Sequence, residues 1–161
     1  MKTSATSKIN KIDSVLFDLE GTMQKPLHLS LGSDPVVLVD GVSEGIKKLA
    51  KEFPLFIVSN CGNGMLQGFL NFQNMRSYFK DWECLGNSGK GKDENIKDVV
   101  TRNNLQHPIY VGDSFPDKGA AERAGVPYIH AAYGLDGFAD DCLNFDTFSE
   151  VVKFLLEKKS T

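Results

Sequence analysis

The sequence predicts an α/β fold, a parallel sheet covered by helices on both faces, and three observations carry that reading. Short apolar runs rich in β-branched and aromatic residues recur along the chain; segments with helical apolar spacing lie between them; and the connections are short. Strands that alternate with helices pair in parallel, because each crossover returns the chain to the same end of the sheet.

The strand-like runs are residues 15–19, 55–58, 109–111 and 128–131, with a weaker one at 82–85. Val42, Ile46 and Leu49 mark the first helix, and Met65, Leu66, Phe69, Leu70 and Phe72 the second. Ile96, Val99 and Val100 mark a third, and Ala120, Ala121 and Ala124 a fourth that stops at Gly125. Asp146 is the expected N-cap of the last helix, in TFSEVVKFLLEKK. Residues 22–39, with Pro26, Gly32 and Pro35, break the rhythm; there HLSL and VVLV are expected to form a short hairpin or flap. Residues 1–11 read as a flexible polar tail and 12–161 as a single core domain.

The 161 residues are 41% hydrophobic and 24% charged, enough for one well-packed domain. A net charge of −3 gives no general attraction to nucleic acid or to an acidic membrane surface. Cys61, Cys84 and Cys142 form neither a CxxC pair nor an even set, which argues against a disulfide framework or a zinc site and for reduced thiols in the cytoplasm. No apolar run has membrane-spanning length.

In an open parallel sheet, ligands bind beyond the carboxyl ends of the strands, where the strand order reverses. The first run ends in Asp18-Leu19-Glu20-Gly21-Thr22, the second in Ser59-Asn60, and that of residues 109–111 leads into Gly112-Asp113-Ser114, with Asp117 four residues after Asp113. Lys90 and Lys92 stand in GKGK, ahead of a helix. Two carboxylates at i and i+2 of one strand end lie on the same side and repel each other unless a cation sits between them. A hard divalent ion such as Mg2+ takes oxygen ligands, here the carboxylates of Asp18 and Asp113 and the backbone carbonyl of Glu20. In that arrangement Asp18 is a candidate nucleophile toward phosphorus and Glu20 a candidate general acid and base. Ser59 and Asn60 would bond phosphoryl oxygens, and a lysine would balance their charge.

Those residues resemble the haloacid dehalogenase (HAD) superfamily of phosphohydrolases. FDLEGT resembles its first motif, DxDxT, with Asp18, Glu20 and Thr22 at the nucleophile, acid/base and phosphate-contacting positions. IVSN resembles the second motif at Ser59, and VGDSFPD the fourth, at Asp113 and Asp117. GKGKDENIK resembles the lysine motif and favours Lys92. The resemblance implies a three-layer α/β/α sandwich with strand order 5-4-1-2-3, an Mg2+ cofactor, an aspartyl-phosphate on Asp18 and a phosphorylated substrate.

Two departures stand out. Glu20 replaces the usual aspartate, although the enolase-phosphatase branch carries a similar DIEGT motif. The stretch between the first two motifs is also too short for a large cap, which points to a bulky substrate or a neighbouring subunit of a homo-oligomer as the cover. Against the phosphatase stands a phosphate-binding domain of this type, non-catalytic or of attenuated activity, serving regulation or assembly. A receiver-like domain and a dehalogenase fit the pattern less well. GNSGKGKD comes close to a P-loop, but Asp93 stands where that loop needs a hydroxyl. His28 is a candidate substrate contact in the flap, and His130 a strand-end residue.

Overall fold

The computed structural model describes residues 9–26 and 36–159. Its centre is a six-stranded, wholly parallel sheet: β1 (Ser14–Phe17), β2 (Leu55–Ser59), β3 (Phe79–Cys84), β4 (Pro108–Gly112), β5 (Tyr128–Ala131) and β6 (Leu143–Phe145). The strand order is β3-β2-β1-β4-β5-β6, the expected order read from the opposite edge with one strand added. From β1 the chain winds outward through β2 to β3, and from β4 outward the other way, so the order reverses between β1 and β4.

Alternation along the strands builds the two faces. Val15, Phe17, Ile57, Val111 and Ile129 pack with Val42, Ile46 and Leu49 of α1 (Val42–Ala50), with Leu66 and Phe69 of α2 (Asn63–Asn71), and with Phe148, Val151 and Leu155 of α6 (Phe148–Glu157). Leu16, Phe56, Val58, Tyr110 and Tyr128 point the other way, onto Ile96 and Val99 of α4 (Lys92–Arg102) and Ala120 and Ala121 of α5 (Phe115–Ala124). A 3-10 stretch (Phe72–Tyr78) and the short α3 (Leu85–Ser88) complete the connections. Phe17 is fully buried, and truncating such a residue to alanine costs about 3–5 kcal/mol.

The helices expected from the spacing are present, and α5 ends at Gly125 as the sequence indicates. Three details differ. The cap of α6 is Thr147, not Asp146: the Thr147 hydroxyl accepts from the Glu150 N–H while the Glu150 carboxylate accepts from the Thr147 N–H, a reciprocal capping box. Ile9, placed in the tail by its polar neighbours, is 6% exposed and belongs to the core, and Ile12 pairs with Lys159. Residues 36–39 pair antiparallel with residues 23–25, through Lys25 N–H to the Val37 carbonyl (2.8 Å) and Val39 N–H to the Met23 carbonyl (2.9 Å). The other proposed flap segment, HLSL, and His28 within it lie outside the described residues.

Candidate active site

Asp18 follows β1 directly, and its backbone N–H still donates to the Val111 carbonyl of β4 at 2.9 Å. Phe17 pairs with Val111, so Asp18 and Asp113 leave the sheet side by side at the point where the strand order reverses. Asp18 shares strand parity with Leu16, whose face is covered by α4 and α5. Those two helices supply its partners.

Lys92 opens α4, and its ammonium donates to Asp18 Oδ1 at 3.0 Å and to Asp117 Oδ1. Carboxylate oxygens of Asp18, Asp113 and Asp117 lie within 4.8 Å of one another, and all three residues are buried. Lys90 stands at the surface, paired with Asp98 at 2.7 Å. The structure therefore settles which lysine reaches the cluster. Asn95, buried in α4, accepts from Ser88 Oγ (2.8 Å) and donates to the Lys90 carbonyl (3.2 Å), which fixes the turn that delivers Lys92.

Asp117 is the N3 residue of α5, and Ser114 is the N-cap. Its Oδ2 accepts from the N–H groups of Asp113 and Ser114, both at 3.1 Å, and from Ser114 Oγ at 2.9 Å. One carboxylate thus ties the Asp113 backbone, the start of α5 and Lys92 together. Asp113 accepts from Thr22 Oγ1 (3.1 Å) and from the Leu135 N–H (2.8 Å). Thr22, expected against a phosphate oxygen, is fully buried with its hydroxyl committed to Asp113.

Two glycines make room for this carboxylate. A Cβ on Gly21 would stand 1.9 Å from Asp113 Oδ2, and Gly21 has φ +86°, which disfavours a side chain independently. A Cβ on Gly134 would stand 2.3 Å from Asp113 Cβ. The segment around Gly134 holds on elsewhere too: the Asp136 N–H donates to the Asp113 carbonyl (3.1 Å), and Asp136 Oδ2 accepts from the Phe115 N–H (2.6 Å).

Ser59 ends β2 beside β1, buried, with its Oγ accepting from the Cys61 N–H at 3.3 Å, which leaves the hydroxyl proton to donate. Asn60 is exposed at the same edge. Glu20, partly exposed, lines a cleft of about 210 Å³ together with Asp18, Asp113 and Ser114. His130 is buried in β5, with its ring nitrogens on the Tyr128 hydroxyl (2.9 Å) and the Gly137 carbonyl and its ring stacked on Phe115. The signals for Gly134, Leu135 and Asn95 were not read from the sequence; for Asn95 alone a local signal existed, in the DENI segment.

Burial pushes the Asp18 carboxyl up to about 8; Lys92 opposes the rise, and Asp117 and Asp113 add to it. Asp113 is raised as well, chiefly by burial. Burial works against the charge of Lys92, but Asp18 and Asp117 outweigh it and hold the ammonium above its ordinary range. Three buried carboxylates thus face one ammonium, and the repulsion from Asp117 and Asp113 adds to the burial that raises Asp18. An all-oxygen donor set with excess negative charge fits a hard divalent cation.

Residues 27–131 match the family model for haloacid dehalogenase-like hydrolases. The chain belongs to that family. The matched span holds Ser59, Lys92, Asp113 and Asp117, and starts after Asp18. Similar solved structures include a HAD-superfamily hydrolase from Ehrlichia chaffeensis, with 18% identity and TM-score 0.76 over 93% of this chain and 98% of that one. A protein from Clostridium acetobutylicum described as a predicted phosphatase has 16% identity and TM-score 0.77 over 91% and 99% of the two chains. YfnB from Bacillus subtilis, bound to magnesium, has 15% identity and TM-score 0.73 over 91% and 99%. At these identities the likeness is one of fold. No curated protein matches the chain in sequence. Among the described residues no helix is long and apolar enough to cross a membrane.

Proposed function

We propose that this hydrolase is an Mg2+-dependent phosphatase that cleaves a phosphomonoester through an aspartyl-phosphate on Asp18. The observation that carries the reading is the joint placement of Asp18, Asp113, Asp117 and Lys92 at the switch point of the sheet. Asp18 and Asp113, with the Glu20 backbone carbonyl, would hold the ion. Bound there, it would offset the carboxylates against the incoming phosphate and polarise a phosphoryl oxygen.

An Asp18 carboxylate oxygen attacks phosphorus, and the bond from phosphorus to the ester oxygen breaks as Glu20, starting as the acid, protonates that oxygen. Glu20, now a carboxylate, then takes a proton from the water that attacks the phosphorus of the aspartyl-phosphate. The Asp18–phosphorus bond breaks, inorganic phosphate leaves, and Asp18 and Glu20 return to their starting forms. Lys92 and the Ser59 hydroxyl donate to phosphoryl oxygens, while Asp117 and Thr22 position Lys92 and Asp113. In this reading the chain forms one core domain, with Ile9 packed into it, and no large cap. The unpaired Cys61, Cys84 and Cys142 suit a reducing compartment such as the cytoplasm.

The test is p-nitrophenyl phosphate hydrolysis, with and without Mg2+, by the native chain, Asp18→Asn and Glu20→Asp. Magnesium-dependent turnover that disappears in Asp18→Asn is the expected result. Activity that survives in Asp18→Asn would refute the nucleophile. Turnover seen only in Glu20→Asp would favour the attenuated phosphate-binding reading, with Glu20 as its cause.

A further inference from the structure

The cleft that holds the acids adjoins a larger cavity. That cavity measures about 420 Å³, and Gly21, Pro26 and Leu135 line both spaces. Its walls are mostly apolar, formed by Val39, Tyr133 and Phe148 beyond the shared Pro26 and Leu135. Tyr133 is held in place by its hydroxyl, which donates to the Thr22 carbonyl at 2.7 Å. Charged side chains lie among the lining residues as well: Asp40, Asp146 and Lys25.

Resting on the phosphatase reading, we propose that this cavity is the leaving-group site, and that it takes a compact, ring-sized apolar alcohol whose far end is neutral or cationic. The small cleft accommodates the phosphoryl group against Asp18, and the ester's organic part extends across the shared residues into the larger space. A volume of about 420 Å³ suits a small molecule, since such sites commonly span about 300–1,000 Å³. Leu135 adds an independent observation. It is 76% exposed although its backbone N–H is fixed on Asp113, so an apolar side chain stands held in water at the boundary of the two spaces. An apolar leaving group covers it. The charges set the sign: two carboxylates against one ammonium repel a second phosphate or a carboxylate on the substrate and attract an amine.

Three esters with the same ring test this: the phosphates of tyramine, phenol and 4-hydroxyphenylacetate, cationic, neutral and anionic at the far end. The expected kcat/KM falls in that order, with about tenfold between the first and the last, carried mainly by KM. Asp40→Lys, a change at an exposed position, should remove or invert the order. Equal kcat/KM for the three esters, or an order that Asp40→Lys leaves intact, would overturn the proposal. Should no ester release phosphate, the phosphatase reading falls, and the site is judged by free tyramine in the presence of inorganic phosphate. Amide shifts at Val39, Tyr133 and Thr147 that Asp40→Lys abolishes would then sustain the cavity's specificity, and unperturbed amides would sink it.

Discussion

Gly134 lies against Asp113 so closely that a Cβ placed on it would come within 2.3 Å of the aspartate's own Cβ. The contact joins the segment after β5 to the carboxylate after β4, and the neighbouring Leu135 N–H donates to that same carboxylate. The added methyl in Gly134→Ala has to displace either the aspartate or the backbone that fixes it. The expected outcome is a loss of at least about 100-fold in kcat/KM together with weaker Mg2+ binding, while overpacking lowers stability by about 1–3 kcal/mol. Isothermal titration with Mg2+ and steady-state kinetics on the folded variant check both parts. Undiminished metal binding would show that Asp113 tolerates the shift.

Among the described residues Lys92 supplies the one ammonium hydrogen-bonded into the cluster of three carboxylates, to Asp18 and Asp117, and removing it leaves their charges uncompensated. Lys92→Met should abolish turnover and destabilise the metal-free protein by about 3 kcal/mol at pH 8. The cost should shrink at pH 5, where Asp18 takes up a proton. Asp18→Asn, which deletes one of the repelling charges, should raise metal-free stability at pH 8 while also abolishing turnover. Lys90→Met should leave both properties as they are, because Lys90 pairs only with the exposed Asp98. Urea unfolding of the four proteins at the two pH values decides the matter.

Residues that carry a local signal were legible in the sequence. Asp18 and Asp113 each stand where an apolar run breaks off, Asp117 follows Asp113 by four residues, and the parallel pairing of β1 with β4 then brings the strand ends together. What was not legible depends on contacts distant in sequence. Nothing within AAYGLDGF says that Gly134 will touch Asp113, since that follows from β5 lying beside β4. Thr22 was expected to contact phosphate only through its place in the resemblance to DxDxT, and the turn after the acids buries its hydroxyl against Asp113. β6 escaped notice because only Leu143, Asn144 and Phe145 form it, too short and mixed a run to rise above its acidic flank.

The cap of α6 was misplaced by one residue, and here the sequence did contain the answer. Thr147 and Glu150 stand three apart, the spacing of a capping box, whereas Asp146 has Ser149 at that offset. Thr147→Ala should cost about 1 kcal/mol, and Asp146→Ala a few tenths at most. Thermal unfolding of the two variants separates them. An equal loss in both would place part of the capping on Asp146.

Asp18 should also govern how stability depends on pH and on metal. Its carboxyl titrates near 3.8 in the unfolded chain and is pushed up to about 8 in the fold by burial and by its acidic neighbours. Between these values the folded protein holds more protons than the unfolded chain, so metal-free stability falls as pH rises from about 4 to 8. Asp113, raised in the same direction, steepens the fall from its acid end. A divalent ion competes with the same protons, so binding releases them and the affinity for Mg2+ should rise across the same window. Melting temperatures at pH 5, 6.5 and 8, in EDTA and in excess Mg2+, should therefore diverge steadily toward alkaline pH. The Mg2+-dependent gain should be largest at pH 8 in the native chain and strongly reduced in Asp18→Asn. A gain that stays constant with pH, or that survives in Asp18→Asn, would place the ion on groups other than this carboxylate.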